Sequence, residues 1–246
     1  MLIFGINFNS YYLIFRKKFR DAFNAEVRMF IFVVFSAITI ISVNICLQME
    51  QIGQFDTVGE GIRHAAFYVA ALISTTGFAT VDYNLWPTLS QCVLMLVLFI
   101  GACAGSTGGG FKMSRILILI KGMKNEVQKL IHPRQVKRIT IDKKPVDGEV
   151  VRSVNAFLVA YVFVFIISVG LVSIDGQNDI VTSVTAVMTA LSNVGPGLST
   201  IGPVNNFAHL SNFSKLVLSF DMLAGRLELF PMLILLSPTT YKNKGF

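Results

Sequence analysis

Residues 87–120 form a largely apolar stretch of 34 residues whose middle reads Gly101-Ala102-Cys103-Ala104-Gly105-Ser106-Thr107-Gly108-Gly109-Gly110. As one α-helix it would measure about 51 Å, far more than the roughly 30 Å of hydrocarbon in a bilayer. Three consecutive glycines are also poor helix formers. The stretch therefore reads as a helix broken at membrane depth, where unwound backbone survives only against protein or water. Two cleaner spans flank it. Residues 29–49 and 153–174 carry no charged side chain, and each has the roughly 20 apolar residues that a crossing needs. Residues 216–237 form a third, less clean span that holds Asp221, Arg226 and Glu228. The apolar pieces 65–74 and 180–191 are too short to cross, and each ends in a glycine-containing turn before another span. They are expected to enter and leave on one side of the membrane.

Charge is scarce and unevenly placed. Only 14% of the residues are charged and 53% are hydrophobic, against about 25% charged in soluble domains. The net charge of +7 does not point to nucleic acid, because no soluble core is visible to carry a basic patch. Arg16, Lys17, Lys18, Arg20 and Arg28 precede the first full span, eleven Lys or Arg lie from Lys112 to Arg152, and Lys242 and Lys244 close the sequence. Residues 50–86 and 175–214 contain only Arg63. The positive-inside rule puts the basic segments in the cytoplasm and both short helices on the outer side. The basic linker at 126–147 is read as a topology signal touching lipid headgroups, with docking of a cytoplasmic partner as the alternative. Residues 1–15, apolar and followed at once by basic residues, look like the tail of an earlier span rather than a cleavable signal.

The order of span, short helix, glycine turn and span occurs twice. Ile73-Ser74-Thr75-Thr76-Gly77-Phe78 falls on Leu191-Ser192-Asn193-Val194-Gly195-Pro196 at an offset of 118 residues. An internal repeat in a membrane chain suggests units around a shared axis. A cation leaving water needs its hydration shell replaced, and backbone carbonyls can do this. Glycine lets the chain adopt the unusual backbone that turns carbonyls to one side, and the C-terminal end of each short helix adds partial negative charge. Thr75, Thr76, Gly77 and Phe78 in the first turn, and Asn193, Val194 and Gly195 in the second, are the expected ion-lining segments. A plain helix C-cap is the ordinary reading of one such turn. No carboxylate lies in either, Asp82 being nearest, which favours a monovalent over a divalent ion.

Gly105, Ser106, Thr107, Gly108, Gly109 and Gly110, followed by Lys112, are expected to form an obstruction below the turns. Arg226, costly in a span unless it faces water or the interior, points about 120° away from the face shared by Asp221, Gly225 and Glu228. It is expected to contact the glycine loop and repel cations when the path is closed, the alternative being a structural ion pair. The glycine loop is not a phosphate loop, since the adjacent Gly-Lys-Ser/Thr is missing. His64, His132 and His209 have no partner at metal-ligand spacing, no nucleophile–base constellation can be assembled, and Cys46, Cys92 and Cys103 read as buried small hydrophobes. Tyr83 and Trp86 suit an outer-interface aromatic belt.

At these residues the sequence resembles the TrkH-type members of the Trk/Ktr/HKT superfamily of potassium uptake proteins. The resemblance is carried by Ser74-Thr75-Thr76-Gly77-Phe78-Ala79-Thr80-Val81-Asp82, by residues 101–112, by Asn193-Val194-Gly195-Pro196-Gly197 and by Ala224-Gly225-Arg226-Leu227-Glu228-Leu229-Phe230-Pro231. It implies an all-α membrane fold with four span–pore-helix–span repeats around one pore. This chain matches the third repeat at 27–125 and the fourth at 148–246, joined by the linker 126–147 and preceded at 1–26 by the tail of the second. The resemblance further implies K+ as the transported ion, held by carbonyls of Thr75, Thr76, Asn193 and Val194. It makes Gly105 to Gly110 the gating loop and Arg226 the arginine facing it. No organic cofactor and no enzymatic activity are expected. The implied partners are membrane lipid of the bacterial inner membrane, a second protomer in a homodimer and a cytoplasmic nucleotide-binding regulatory subunit. Two filter segments make half a ring, so another chain would supply the missing repeats, and without it the chain would be a non-conducting fragment.

Overall fold

Asn24 starts the first long helix by accepting a hydrogen bond from the Val27 N–H at 2.9 Å, a side-chain cap for one of the orphan donors of a helix start. That helix, α4 (Ala25–Leu47), follows three short helices, α1 (Leu2–Gly5), α2 (Phe8–Phe15) and α3 (Phe19–Ala22). The computed structural model describes residues 1–132, 138–142, 144–176 and 178–227. Glu228, Pro231, Lys242, Lys244 and the end of the third expected span lie outside the described residues, as does part of the basic linker.

Helix α4 buries Phe30, Val34, Ala37, Ile41 and Ile45 and exposes Phe32, Phe35, Val43 and Leu47. The i, i+4, i+7 spacing of the first set places one face against protein, while the apolar outer face suits lipid. Helix α5 (Met49–Ile52) leads to α6 (Val58–Ile73), α7 (Thr88–Ile100) and α8 (Met113–Ile131). Helix α9 (Gly148–Ser173) is the second long apolar helix, followed by α10 (Ile180–Ser192) and α11 (Asn212–Leu227). With 23 and 26 residues, α4 and α9 would measure about 35 and 39 Å, enough to cross a bilayer. A short hairpin, β1 (Thr140–Ile141) with β2 (Lys144–Pro145), lies in the basic linker.

Two packed groups result. Helices α4, α6 and α7 contact one another, as do α9, α10 and α11. Each lends residues to the other's core: Val194 and Leu198 pack with the first group, and Phe111 packs with the second. The turns and the glycine loop therefore lie at the junction between the groups.

Several expectations change. The short outer helix expected at 65–74 begins at Val58, because Thr57 caps it through the Glu60 N–H and its polar first turns escape an apolarity count. Tyr83 and Trp86 do not form a surface belt. They are 0% and 3% exposed and pack edge-on around Tyr68, with ring centroids 5.1 and 5.2 Å from it. Each such pair contributes about 0.5–1.5 kcal/mol beyond its buried area. Of the three thiols only Cys103 is buried; Cys46 is half-buried and Cys92 exposed, since Cys92 falls on the outward side of α7. The amino-terminal residues form two short helices, α1 and α2, separated at Ile6–Asn7.

Candidate functional site

Helices α6 and α10 end in the same way. In the first turn the Thr75 N–H donates to the Leu72 carbonyl (3.1 Å) and the Thr76 N–H to that of Ala71 (2.8 Å). At the positions 118 residues later, the Asn193 N–H donates to the Ala190 carbonyl (3.0 Å) and the Val194 N–H to that of Thr189 (3.1 Å). Thr75 and Gly77 have positive φ, +53° and +70°, and so do Asn193 and Gly195, +55° and +114°. Two residues of left-handed twist, two positions apart, turn the chain away from its helix. Only glycine adopts such angles at little cost.

The amides of these turns are spent on the helices behind them, and the Gly195 N–H is taken by Thr189 Oγ1 at 2.8 Å. The carbonyls are not. Among the described residues, no hydrogen bond is accepted by the carbonyls of Thr75, Thr76, Gly77, Phe78, Asn193, Val194 or Gly195. Thr76, Phe78 and Gly195 are exposed, Thr75, Gly77 and Asn193 are half-buried and only Val194 is buried, so these oxygens are open to whatever lies beside the turns. The two turns also meet. A Cβ added to Gly77 would overlap the Val194 carbonyl oxygen and lie 3.2 Å from Pro196 Cδ. Phe78, 63% exposed, leaves the contact.

Directly against both turns lies the loop from Gly101 to Lys112. The Gly109 N–H donates to Thr75 Oγ1 (3.0 Å), and a Cβ at Gly109 would come within 2.5 Å of the Ser192 carbonyl oxygen. Gly108, Gly109 and Gly110 are buried, Ser106 is half-buried, and Gly105 and Thr107 are exposed. Lys112 Nζ donates to the Gly108 carbonyl, and Arg226 Nη1 donates to the Thr107 carbonyl at 2.7 Å. Arg115 lies over the Phe157 ring, 3.8 Å from its centroid. A cavity of about 240 Å³ opens beside the loop, with Lys112, Arg115 and Arg226 in its wall. Three cationic groups there raise the cost of placing a free cation.

Four holding contacts carry no signal in the sequence. Glu26, in the first turn of α4, accepts the Ala104 N–H at 2.6 Å. At the break between α1 and α2, the Gly5 carbonyl accepts the Cys103 N–H (3.0 Å) and the Phe8 N–H donates to the Gly105 carbonyl (3.3 Å). Asn193 Nδ2 donates to the Met222 carbonyl of α11 at 3.0 Å. A glutamate at a helix start reads from sequence as a dipole partner; its reach to a loop 78 residues away becomes visible only in three dimensions. Farther out, burial beside Tyr68 and Asp82 pushes the Tyr83 phenol well above its ordinary range. The hydroxyls of Ser211 and Ser214 donate to Asp175 and hold its carboxyl below the usual range.

The family model described as TrkH, cation transport protein, matches residues 6–243. The Trk system potassium uptake protein TrkH of Salmonella typhimurium is 33% identical over 245 residues, covering 99% of this chain and 49% of the relative. The TrkG potassium uptake protein of Escherichia coli is 34% identical over 244 residues, covering 96% and 47%. The crystal structure of the potassium transporter TrkH from Vibrio parahaemolyticus superposes with a TM-score of 0.86 at 32% identity, covering 98% of this chain and 51% of that one. The chain thus spans about half the length of the curated relatives it matches.

Proposed function

The chain belongs to the TrkH family of cation transport proteins, and on that premise we propose that it forms half of a potassium pathway through the bacterial inner membrane. In this reading α4–α6–α7/α8 and α9–α10–α11 are two span–pore-helix–span repeats. Their turns supply the filter: Thr75, Thr76, Gly77 and Phe78 from one, Asn193, Val194 and Gly195 from the other. The observation that carries the proposal is the congruence of the two turns, each spending its amides backward and leaving its carbonyls bare. Such oxygens stand in for the hydration shell of a monovalent cation. Glycine at 77 and 195 makes the geometry accessible, and the adjacency of Gly77 to Val194 sets the two segments side by side.

The loop from Gly105 to Gly110 would lie across the inner end of the path, with Lys112 and Arg226 as the cations that hold it and repel the ion. The basic segments would face the cytoplasm, with 126–147 linking the repeat at 27–125 to that at 148–246. Two segments do not encircle an ion, so conduction requires the remaining repeats from another polypeptide or from sequence beyond the 246 residues. That requirement also sustains the second reading, a membrane fragment that conducts nothing until a partner joins it.

Growth of a potassium-uptake-deficient bacterium at limiting K+ tests the proposal. The chain co-expressed with the amino-terminal half of a TrkH relative should restore growth, and the chain alone should not. Failure of the pair, with both polypeptides folded in the membrane, would refute it.

A further inference from the structure

From the segment after the first turn, two consecutive side chains reach across the junction. Tyr83 Oη donates to the Gly197 carbonyl at 2.6 Å. Asn84 makes a two-point contact with Ser199: its Oδ1 accepts the Ser199 N–H (3.0 Å) and its Nδ2 donates to the Ser199 carbonyl (3.2 Å). Ser199 has φ +59°, a conformation that costs a non-glycine residue of order 1–2 kcal/mol unless its surroundings hold it. Gly202 makes room for the contact, since a Cβ there would overlap Asn84 Nδ2.

The donor segment is itself fixed. Tyr68 Oη accepts the N–H groups of Thr80 (2.9 Å) and Val81 (3.0 Å). Gln54 Nε2 donates to the Asp82 carbonyl (3.1 Å), and Gln91 Nε2 donates to the Asn84 carbonyl (2.7 Å). Residues 80–86 are thus a stiff bar anchored in the first helix group. The receiving segment begins two residues past Gly195. On its other side it is tied to α10, where the Leu198 N–H donates to Thr185 Oγ1 at 3.1 Å.

We propose that Tyr83 and Asn84 are positioning residues for the second turn, bracing it from the first repeat so that the Val194 and Gly195 carbonyls keep one spacing and favour K+ over Na+. The inference rests on the proposed filter role of the turns. A cage of oxygens discriminates between two ions only while its size cannot relax to the smaller one, and a turn held by α10 alone can relax. The brace acts from the outer side and touches no ion, so its loss changes preference more than throughput.

Two variants test it: Tyr83→Phe, which deletes one hydroxyl and keeps the packed ring, and Asn84→Asp, which keeps the acceptor for the Ser199 N–H and loses the donor. Hydrogen exchange of the 246-residue chain in lipid nanodiscs reads the brace directly. Exchange in the peptide 195–204 should rise about fivefold in Tyr83→Phe, the equivalent of one neutral hydrogen bond of about 1 kcal/mol, while peptides from α4 and α9 stay unchanged. In cells that also express the complementary half of a relative, the ratio of K+ to Na+ uptake should fall by a similar factor with total uptake retained. Asn84→Asp, which turns a carboxylate oxygen toward the Ser199 carbonyl in place of the donor, should show the same two changes. Unchanged exchange in both variants overturns the brace. Raised exchange with an unchanged uptake ratio overturns its role in ion preference. Raised exchange in an assembly whose parent moves no ion overturns the filter reading and this inference with it, and leaves the contact as architecture.

Discussion

Replacing Gly77 by Ala makes two separable demands on the chain. The residue sits at φ +70°, where an L side chain costs about 1–2 kcal/mol. The added methyl would also overlap the Val194 carbonyl oxygen and stand 3.1 Å from its carbon. The neighbour is main chain, tied to α10 through the Val194 N–H and the Thr189 carbonyl at 3.1 Å, so it cannot swing aside as a side-chain tip would. Reaching ordinary contact requires a shift of about 1 Å in the oxygen proposed to face the ion. Binding constellations tolerate about 0.5 Å before function suffers. Gly195→Ala separates the two demands. It has φ +114° but no atom within 4 Å of the added carbon, so it incurs backbone strain of about 1–3 kcal/mol without displacing a carbonyl. Gly59→Ala, in open space inside α6, serves as the control. With the complementary half of a TrkH relative co-expressed, uptake of K+ and Na+ is measured against the amount of folded protein in the membrane. Gly77→Ala is expected to fall below about a tenth of parental K+ uptake and lose its preference, Gly195→Ala to retain more of both, and Gly59→Ala to match the parent. Parental uptake and preference in folded Gly77→Ala would refute the argument that this turn presents its neighbour's carbonyl to the ion.

Arg226→Ala removes the donor to the Thr107 carbonyl; because the guanidinium is exposed, the contact contributes about 0.5–1.5 kcal/mol, and K+ flux should rise up to about tenfold. Arg226→Lys, which keeps charge without the planar fork, should fall between, and flux unchanged in both would contradict a holding role. Glu26→Ala leaves the Ala104 and Ser114 N–H groups without this acceptor, so a loss of about 1–3 kcal/mol should appear as a lower thermal midpoint, with faster exchange confined to residues 101–114. Asp175 is held below its ordinary value of 3.8 by the hydroxyls of Ser211 and Ser214. The unfolded chain therefore takes up this proton more readily than the folded one, so the stabilisation is complete at neutral pH and is lost as pH falls through and below that value. The gap in thermal midpoint between parent and Asp175→Ala should narrow from pH 6 to pH 3; a constant gap would show that the carboxylate's charge is not what matters.

The parts of the fold that a sequence exposes are those governed by local chemistry. The charge-free runs became α4 and α9, and the triple glycine fell in the break between α7 and α8. The 118-residue register reappears in matching positive φ at Thr75 and Asn193 and at Gly77 and Gly195. Contacts between distant segments left no such trace. Tyr83 and Trp86 have the composition of a membrane belt, and only tertiary packing shows that they surround Tyr68 and that the Tyr83 hydroxyl seeks Gly197. Glu26 looks like any acidic residue near a helix start, and its bond to Ala104 depends on how α4 and the broken span are placed. Asn7 lies beside Gly105, a contact that no local pattern announces.

The glycine loop poses a question of energy that its composition alone answers wrongly. A run of Gly108, Gly109 and Gly110 suggests slack chain, yet these glycines are buried. They are small so that backbones can touch: a carbon added at Gly109 would press on the Ser192 carbonyl at 2.5 Å, and one at Gly108 on Ala102 Cβ at 2.7 Å. The loop is fastened by Thr75 through the Gly109 N–H, by Glu26 through the Ala104 N–H and by Arg226 through the Thr107 carbonyl. Three such bonds at about 0.5–1.5 kcal/mol each, more for the buried carboxylate, sum to roughly 2–5 kcal/mol. At 1.4 kcal/mol per tenfold, that keeps the displaced loop below about 4% of molecules. The fasteners come from both helix groups and from one of the proposed filter turns. A displacement of α11 relative to α4 would therefore strain them together instead of breaking them one by one. Under the gating role proposed for it, a loop fastened in this way would open through motion of the helices that hold it, and its glycines would serve close packing more than freedom.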